Sequence, residues 1–395
     1  MKANSITIRQ FLSILLFFYF FFTSGSFSAQ IIPSNFSNLN QVVAFIMLLI
    51  FMYFSWSSSF KFRLDNVSIL YFIFVLFVCV SVTWSDSDFQ KYFRMFLFLA
   101  TTSFAFFLSR QFPSEFIFTC LLKVMLFLSI ISLLLVFFKP SIGISTLTHE
   151  GAWSGVFDQK NSLGRCFTMV VFISFIFSFF AHKFKFFILT VLFLFFTNYT
   201  DSRTSIYLSF IIFFLAFIIR NNSLFLSSRF NRLFVIVFII LLLSWFFISP
   251  SVYLGNVSSA NDYINFFGVE IPLTGRATIW SFSIHSIFTD GNYILGYGYD
   301  GFWGTSNSVM YKWGMGDFEA NDSHNGFIDL FLQVGWVGLL FFLGILVCCL
   351  YKFLGFNKSK HKNELYFLVM VLIFFTLFNL TESTLLKSTN FMQFI

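Results

Sequence analysis

GFIDLFLQVGWVGLLFFLGILVCCL, residues Gly326 to Leu350, holds a single charged residue, Asp329. This run exceeds the roughly 20 residues that an α-helix needs to cross a bilayer. The whole chain is 58% hydrophobic and only 10% charged, with a mean hydropathy of +0.84. Such a composition excludes an ordinary soluble protein. Comparable runs predict spans near 11–29, 41–57, 67–84, 93–109, 116–138, 166–181, 184–199, 204–219, 233–249, 326–350 and 365–381.

These runs lack the polar/apolar alternation of barrel strands, so the prediction is an all-α integral membrane protein with about 11–12 transmembrane helices. A twelfth span would begin near Ser383, close to the last residue, Ile395. Residues 1–395 are predicted to form a single transmembrane domain. Two connections are long, 139–165 and 250–325. Because long structured loops tend to carry function, we expect the site there.

The charges divide by loop. Lys and Arg gather in alternate connections, for example Arg110 and Lys183, whereas acidic residues gather in the others, for example Asp88 and Asp300. This is the positive-inside pattern, and it predicts a cytoplasmic amino terminus and an outer, periplasmic location for both long loops. The net charge of +7 is thus explained by topology and does not indicate a nucleic-acid partner. A cleavable signal peptide is the alternative for the first span and would leave the later topology unchanged.

The outer connections bring together the basic residues Lys160, Arg165, Arg203, Arg276 and His324. Arginine suits a diphosphate, because its planar fork donates two charge-assisted hydrogen bonds and does not titrate. Arg203 and Arg276 are the main candidates, while Arg165, Lys160 and Asn161 lie near a helix start, where backbone N–H groups favour anions. The alternative for each cation is a residue that extends to the lipid headgroups.

His324 stands just before the 326–350 span. A neutral imidazole there could act as a general base toward a sugar hydroxyl, and a helix amino terminus disfavours the charged form. The alternative is that Ser323, His324 and Asn325 cap the helix, although capping by a neighbour does not exclude catalysis by His324.

Other signals are weaker. Tyr297 and Trp303, in LGYGYDGFWG, could stack on sugars or belong to an interfacial aromatic belt. Asp86-Ser87-Asp88 has the spacing of a metal-binding DxD motif, but a helix cap is the favoured interpretation. The five cysteines show no metal-binding spacing, so we expect neither a metal nor a cofactor.

Five motifs in order resemble the O-antigen ligase/polymerase superfamily, which includes O-antigen ligases, Wzy-type polysaccharide polymerases and ExoQ-like exopolysaccharide proteins. The motifs are WSGVFDQKNSLG, SRTS, GRATIW, LGYGYDGFW and SHNGFIDLFLQVGWVG; TWSDSD and NLTES also fit the ExoQ-like pattern. The resemblance covers about residues 80–385. The chain departs from the family pattern in its abrupt carboxy terminus, where the family usually completes a last span.

The resemblance implies a GT-C-like glycosyltransferase that moves a glycan from undecaprenyl diphosphate to an acceptor sugar, without metal or nucleotide. It assigns diphosphate binding to Arg203 and Arg276 and the base to His324. Arg165, Lys160, Asn161, Asn325, Tyr297 and Trp303 are the expected substrate-binding residues.

The favoured function is a Wzy-type polymerase of the bacterial inner membrane that acts on lipid-linked repeat units, with a chain-length regulator as a candidate partner. The nearest alternative is ligation of the glycan to lipid A–core. A further alternative with the same chemistry is transfer of the glycan to a protein. From other classes, a lipid-linked oligosaccharide flippase would require charged central helix positions and inverted repeats, and neither is evident. A non-enzymatic scaffold for polysaccharide export is the remaining alternative.

Overall fold

The computed structural model describes residues 2–23, 65–146, 150–180, 183–221, 263–266, 269–272, 276–308, 320–355 and 362–387, with a few single positions between 24 and 64. The fold class is as predicted: a polytopic all-α membrane protein. Its helices are α1 (Lys2–Thr23), α2 (Asn66–Ser81), α3 (Gln90–Gln111), α4 (Ser114–Phe138), α5 (Pro140–Gly143), α6 (Lys160–Phe179), α7 (Lys185–Tyr199), α8 (Arg203–Asn221), α9 (Arg276–Thr289), α10 (Gly326–Gly355) and α11 (Lys362–Thr381).

Within the described residues, five helical segments are long and apolar enough to cross a membrane: Asn66–Trp84, Gln90–Gln111, Ser114–Phe138, Lys160–Phe179 and Gly326–Lys352. The first includes a 3-10 turn, Val82–Trp84, that follows α2. Three shorter apolar helices cover 185–199, 203–219 and 366–381. Each of these eight matches a predicted span.

Other boundaries differ from prediction. The helix of the first span ends at Thr23 rather than near residue 29. The predicted span 233–249 lies outside the described residues, as does 41–57 apart from single positions. Residues 383–387, where a twelfth span would begin, are not helical and include a turn at Leu385 and Leu386.

The 250–325 connection contains secondary structure of its own. Its described residues form a hairpin, β1 (Tyr263–Phe266) paired antiparallel with β2 (Val269–Pro272), and the helix α9. Buried Ile279, Trp280 and Ile287 attach α9 to the core. With 14 residues, α9 is too short to register as a span in a hydropathy pattern.

Two hydrophobic clusters hold the bundle together. The first surrounds α6, the most enclosed of the five candidate spans, and includes Phe172 stacked on Phe374 of α11 at 4.0 Å. The second joins α2, α9 and α10, with Phe74 of α2 and Phe342 of α10 at 5.8 Å.

Helix α10 is broken at Gly335, whose φ of 59° and ψ of −163° are not helical. The segment 293–298 pairs with the break: the N–H groups of Tyr297 and Gly298 donate to the carbonyls of Leu332 and Gln333 at 2.8 and 2.9 Å. In return, the carbonyls of Tyr293 and Ile294 accept from residues 336 and 337 at 2.9 and 3.2 Å. Irregular backbone at membrane depth requires such internal partners. The first turns of α10 are therefore held as a separate short helix.

Ion pairs sort the helix ends into two groups. At one end Arg110 and Lys352 both pair with Asp65, and Lys183 pairs with Glu115. The other end, where α6, α8, α9 and α10 begin and α11 ends, is called the site end below. Among the residues that the structure describes, its ion pairs join residues of the connections predicted to be outer with one another and with the adjacent helix ends. The predicted division of loops into two sides therefore agrees with the packing.

Candidate active site

The site end contains a buried carboxylate surrounded by basic side chains. Glu382 follows α11 directly, and its side chain is only 7% exposed. Its Oε1 lies 3.3 Å from Nη2 of Arg276, the first residue of α9. Its Oε2 lies 3.6 Å from Nη1 of Arg165 in α6 and 4.0 Å from Nδ1 of His324. These four residues are called the Glu382 cluster.

The segment that carries Glu382 is anchored on both sides. The N–H of Glu382 continues the helix by donating to the carbonyl of Phe378 at 2.9 Å. The next residue, Ser383, donates its hydroxyl to the buried carboxylate of Asp329. Thr384 donates both its N–H and its hydroxyl to Oδ1 of Asn379, at 3.2 and 2.7 Å. The backbone at Glu382 is therefore held in place, and its carboxylate cannot shift far from its present position.

The turn before α10 is fixed just as firmly. The N–H of Ser323 donates to Asp329 Oδ1 at 3.1 Å, and its carbonyl accepts from the indole of Trp280 at 2.7 Å. Its hydroxyl donates to the carbonyl of Asn325 at 2.7 Å. His324 is held in the left-handed region at φ 53° and remains 38% exposed. Backbone strain of about 1–3 kcal/mol persists only where the surroundings impose it, and it concentrates at functional sites.

Asn325 is the helix cap. Its Oδ1 accepts from the N–H groups of Phe327 and Ile328 at 3.0 and 3.3 Å, and the residue is 1% exposed. The capping alternative thus describes Asn325, whereas His324 is left half-exposed beside it. Gly326 allows this arrangement, because a Cβ there would lie 2.3 Å from Oδ1 of Asn379.

Asp322 controls the environment of the imidazole. Its Oδ1 accepts from the backbone N–H of His324 at 2.9 Å and lies 3.4 Å from Nδ1 of that ring. Lys387 forms an ion pair with the other oxygen. Burial raises the pKa of Asp322, but the charges of Lys387 and His324 more than offset this and hold its pKa at about 2. Asp322 is therefore ionised at neutral pH and faces Nδ1, so Nε2 is the nitrogen left for a substrate.

The remaining predicted cations lie nearby but are not in the cluster. Lys160 begins α6 and pairs with Asp201 Oδ2 at 2.7 Å. Asn161 follows it, half-buried in the first turn of α6. Arg203 begins α8, is exposed, and forms no ion pair with any residue that the structure describes. Its neighbour Ser202 packs against Gly164, where a Cβ would approach to 2.7 Å, so α8 starts beside Arg165.

Two predicted sugar contacts have other roles in the packing. Tyr297 is a core residue, 4% exposed, with its hydroxyl donating to Asp290 at 2.7 Å. This burial leaves its ring no free face for a sugar. Trp303 is half-buried and donates its indole N–H to Asp329 Oδ1 at 2.8 Å. Trp303 thus helps to hold the carboxylate that anchors Ser323 and Ser383.

The Asp86-Ser87-Asp88 motif belongs to a different network at the same end. Asp88 pairs with Arg94 at 2.6 Å, and Arg94 also pairs with Asp300. Asn307 donates to Asp86 at 3.5 Å. These contacts tie the start of α3 to the loop after α9.

The sequence patterns single out basic and aromatic residues and assign no role to three acidic residues of the site: Glu382, Asp322 and Asp329. A signal existed for Asp329, the only charge in a 25-residue apolar run. NLTES drew attention to 379–383, although its Glu382 received no role. Nothing in the sequence indicates the contacts of Asp322 with His324 and Lys387.

Comparison with known families agrees with the motifs. The O-antigen ligase family model matches residues 186–343, less than half of the chain but including Arg203, Arg276 and His324. Glu382 lies beyond the matched region. A search of curated proteins found no match. This match confirms the resemblance of the motifs to the O-antigen ligase/polymerase superfamily.

Proposed function

We propose that the protein is a polysaccharide polymerase that transfers a growing glycan from undecaprenyl diphosphate to a second lipid-linked repeat unit. The observation that carries this proposal is the convergence of Arg165, Arg276 and His324 on one buried carboxylate at the site end. Two guanidinium groups beside an imidazole combine an anion clamp with a base.

The donor diphosphate binds the arginines. Arg276 contributes Nη2 to Glu382, and Arg165 contributes Nη1, with its Nη2 donating to Ser162 at 2.7 Å. A guanidinium has five N–H donors, so each retains donors for phosphate oxygens. Arg203, exposed at the start of the adjacent α8, supplies a third positive charge. Charge neutralisation at the departing diphosphate supplies much of the catalysis.

His324 is the general base. Its Nε2 takes the proton of the acceptor hydroxyl as the oxygen attacks the anomeric carbon. The new carbon–oxygen bond forms as the bond to the diphosphate breaks, and undecaprenyl diphosphate leaves with the electron pair. A single displacement inverts the anomeric configuration. Asp322, ionised beside Nδ1, orients the ring and stabilises the imidazolium.

The reaction is placed at the periplasmic side of the bacterial inner membrane, with the amino terminus cytoplasmic. This placement rests on the positive-inside pattern. The substrates are a lipid-linked donor and a lipid-linked acceptor, and no metal, cofactor or nucleic acid takes part. A chain-length regulator is a proposed partner.

O-antigen ligation is the second candidate, because the matching family model is described as O-antigen ligase. The chemistry at the donor is the same, and only the acceptor differs. Under this alternative, lipid A–core replaces the lipid-linked repeat unit.

Complementation of a deletion strain separates these functions. For a polymerase, wild type restores a ladder of long surface chains, and His324→Ala leaves a single repeat on lipid A–core despite normal membrane expression. If the mutant instead accumulates long chains on undecaprenyl diphosphate and none on lipid A–core, the protein is a ligase. Full rescue by His324→Ala contradicts the role of His324.

A further inference from the structure

We infer that Glu382 is a positioning residue, which holds Arg165 and Arg276 in place for the donor diphosphate. This inference rests on the proposed function. It assigns a role to a residue that lies beyond the matched family region and touches both arginines and the edge of the base.

The contact geometry separates the carboxylate from the substrate side. Glu382 uses Oε1 for Arg276 and Oε2 for Arg165, so one rigid group fixes two guanidiniums from different helices. The side chain of Glu382 is 7% exposed, compared with 11% for Arg276 and 29% for Arg165. Both arginines are more exposed than Glu382, Arg165 by the larger margin, so an anion arriving from solvent can reach Arg165 without displacing the carboxylate.

The carboxylate offsets the electrostatic repulsion between the two guanidiniums. Two guanidiniums brought together at low dielectric repel each other, and each would otherwise turn toward water or lipid headgroups. An anchored carboxylate between them removes this repulsion. Holding Glu382 in this position costs little additional conformational entropy, because Asp329 and Asn379 already fix the flanking Ser383 and Thr384.

A competing role for Glu382 predicts the opposite change in anion affinity when the carboxylate is removed. If the carboxylate merely occupied the arginines until the diphosphate displaced it, its removal would tighten anion binding. Positioning predicts weaker binding. The geometry favours positioning, since displacement would require an anchored, buried carboxylate to withdraw from both arginines.

The test uses the full-length protein in lipid nanodiscs, with inorganic pyrophosphate as the probe in calorimetry. Glu382→Gln keeps the shape of the side chain but loses its charge, and we expect pyrophosphate affinity to fall about tenfold or more. In a transfer assay the KM for the donor should rise with it, while the KM for the acceptor stays near the wild-type value. Glu382→Asp should retain more affinity than Glu382→Gln.

The matched control is Glu115→Gln, which removes a glutamate paired with Lys183 at the opposite end of the bundle. It should leave pyrophosphate affinity unchanged. If Glu382→Gln does not fold, as judged by its thermal transition, Glu382→Asp carries the test, with a several-fold loss of affinity expected.

Unchanged or tighter pyrophosphate binding by a folded Glu382 variant overturns the inference but leaves the proposed function intact. A wild-type protein that neither binds pyrophosphate nor transfers glycan overturns the proposed function, and this inference with it.

Discussion

Arg276 has the two properties that its proposed role in binding the diphosphate requires, a fixed guanidinium and a position at the site end. It is the first residue of α9 and its side chain is 11% exposed, so its orientation is set by Glu382 rather than by solvent. Charge alone does not explain the choice of arginine, because lysine offers the same charge without the planar fork.

Arg276→Lys is accordingly expected to lower glycan transfer by about 100-fold, since a preorganised pair of donors becomes one mobile ammonium. Turnover should be measured with a lipid-linked donor in nanodiscs. Arg110→Lys, which alters an arginine paired with Asp65 at the opposite end, should behave like wild type. Transfer by Arg276→Lys within a few-fold of wild type would argue against a bidentate phosphate contact.

Asp322 predicts a dependence of stability on pH. Its pKa of about 2 lies below the value near 3.9 expected in the unfolded chain. Its ionised carboxylate therefore adds to the free energy of unfolding above about pH 4. The contribution is lost as the pH falls from about 4 to about 2 and is on the order of 2 kcal/mol. Thermal unfolding of wild type and Asp322→Asn should differ at pH 6 and converge toward pH 2. A constant difference would mean that the Asp322 charge is not the cause.

At the scale of elements, the break in α10 is the feature that places His324. The pairing of segment 293–298 with residues 332–337 fixes the short helix that the His324 turn begins. Gly335 is required at the break, because its φ is positive and a Cβ would lie 2.3 Å from the carbonyl oxygen of Ile294. The QVGWVG motif therefore has a structural explanation that a straight helix would not provide.

Gly335→Ala should destabilise the protein by several kcal/mol and reduce activity through the displaced turn. Gly344→Ala is the control in the same helix, since its nearest neighbour, a methyl of Leu70, lies at 3.8 Å from the added Cβ. Thermal transitions in detergent would compare the two variants. Equal transitions would show that the break is not held in the folded protein.

For the whole molecule, the ion pairs divide the helix ends into two groups that match the predicted sides. Arg110, Lys352 and Asp65 lie together at one end, while the Glu382 cluster lies at the other. Composition and length identify the spans but do not indicate their direction. The predicted direction of insertion therefore rests on the loop charges.

Single cysteines test this orientation in whole cells. Exposed Ser306→Cys, at the site end, should react with a membrane-impermeant maleimide, and exposed Gln111→Cys, at the opposite end, should react only after the membrane is opened. Labelling of the parent protein in the same cells serves as the background. The reverse pattern would place the site in the cytoplasm.

Local hydropathy and loop charge were sufficient to predict the membrane class, the eight spans matched by described helices and the two sides of the bundle. The sequence also indicated Arg276 and His324, since chemistry-bearing residue types stand out in an apolar chain. Long-range packing brings Glu382 against Arg276, 106 positions away, and Asp322 against the imidazole, and neither contact could be read from the chain. The tertiary structure likewise placed Tyr297 in the core and assigned Asn325 to capping. Contacts between distant segments leave no periodicity in the chain, so burial and partner identity appear only when the helix ends converge.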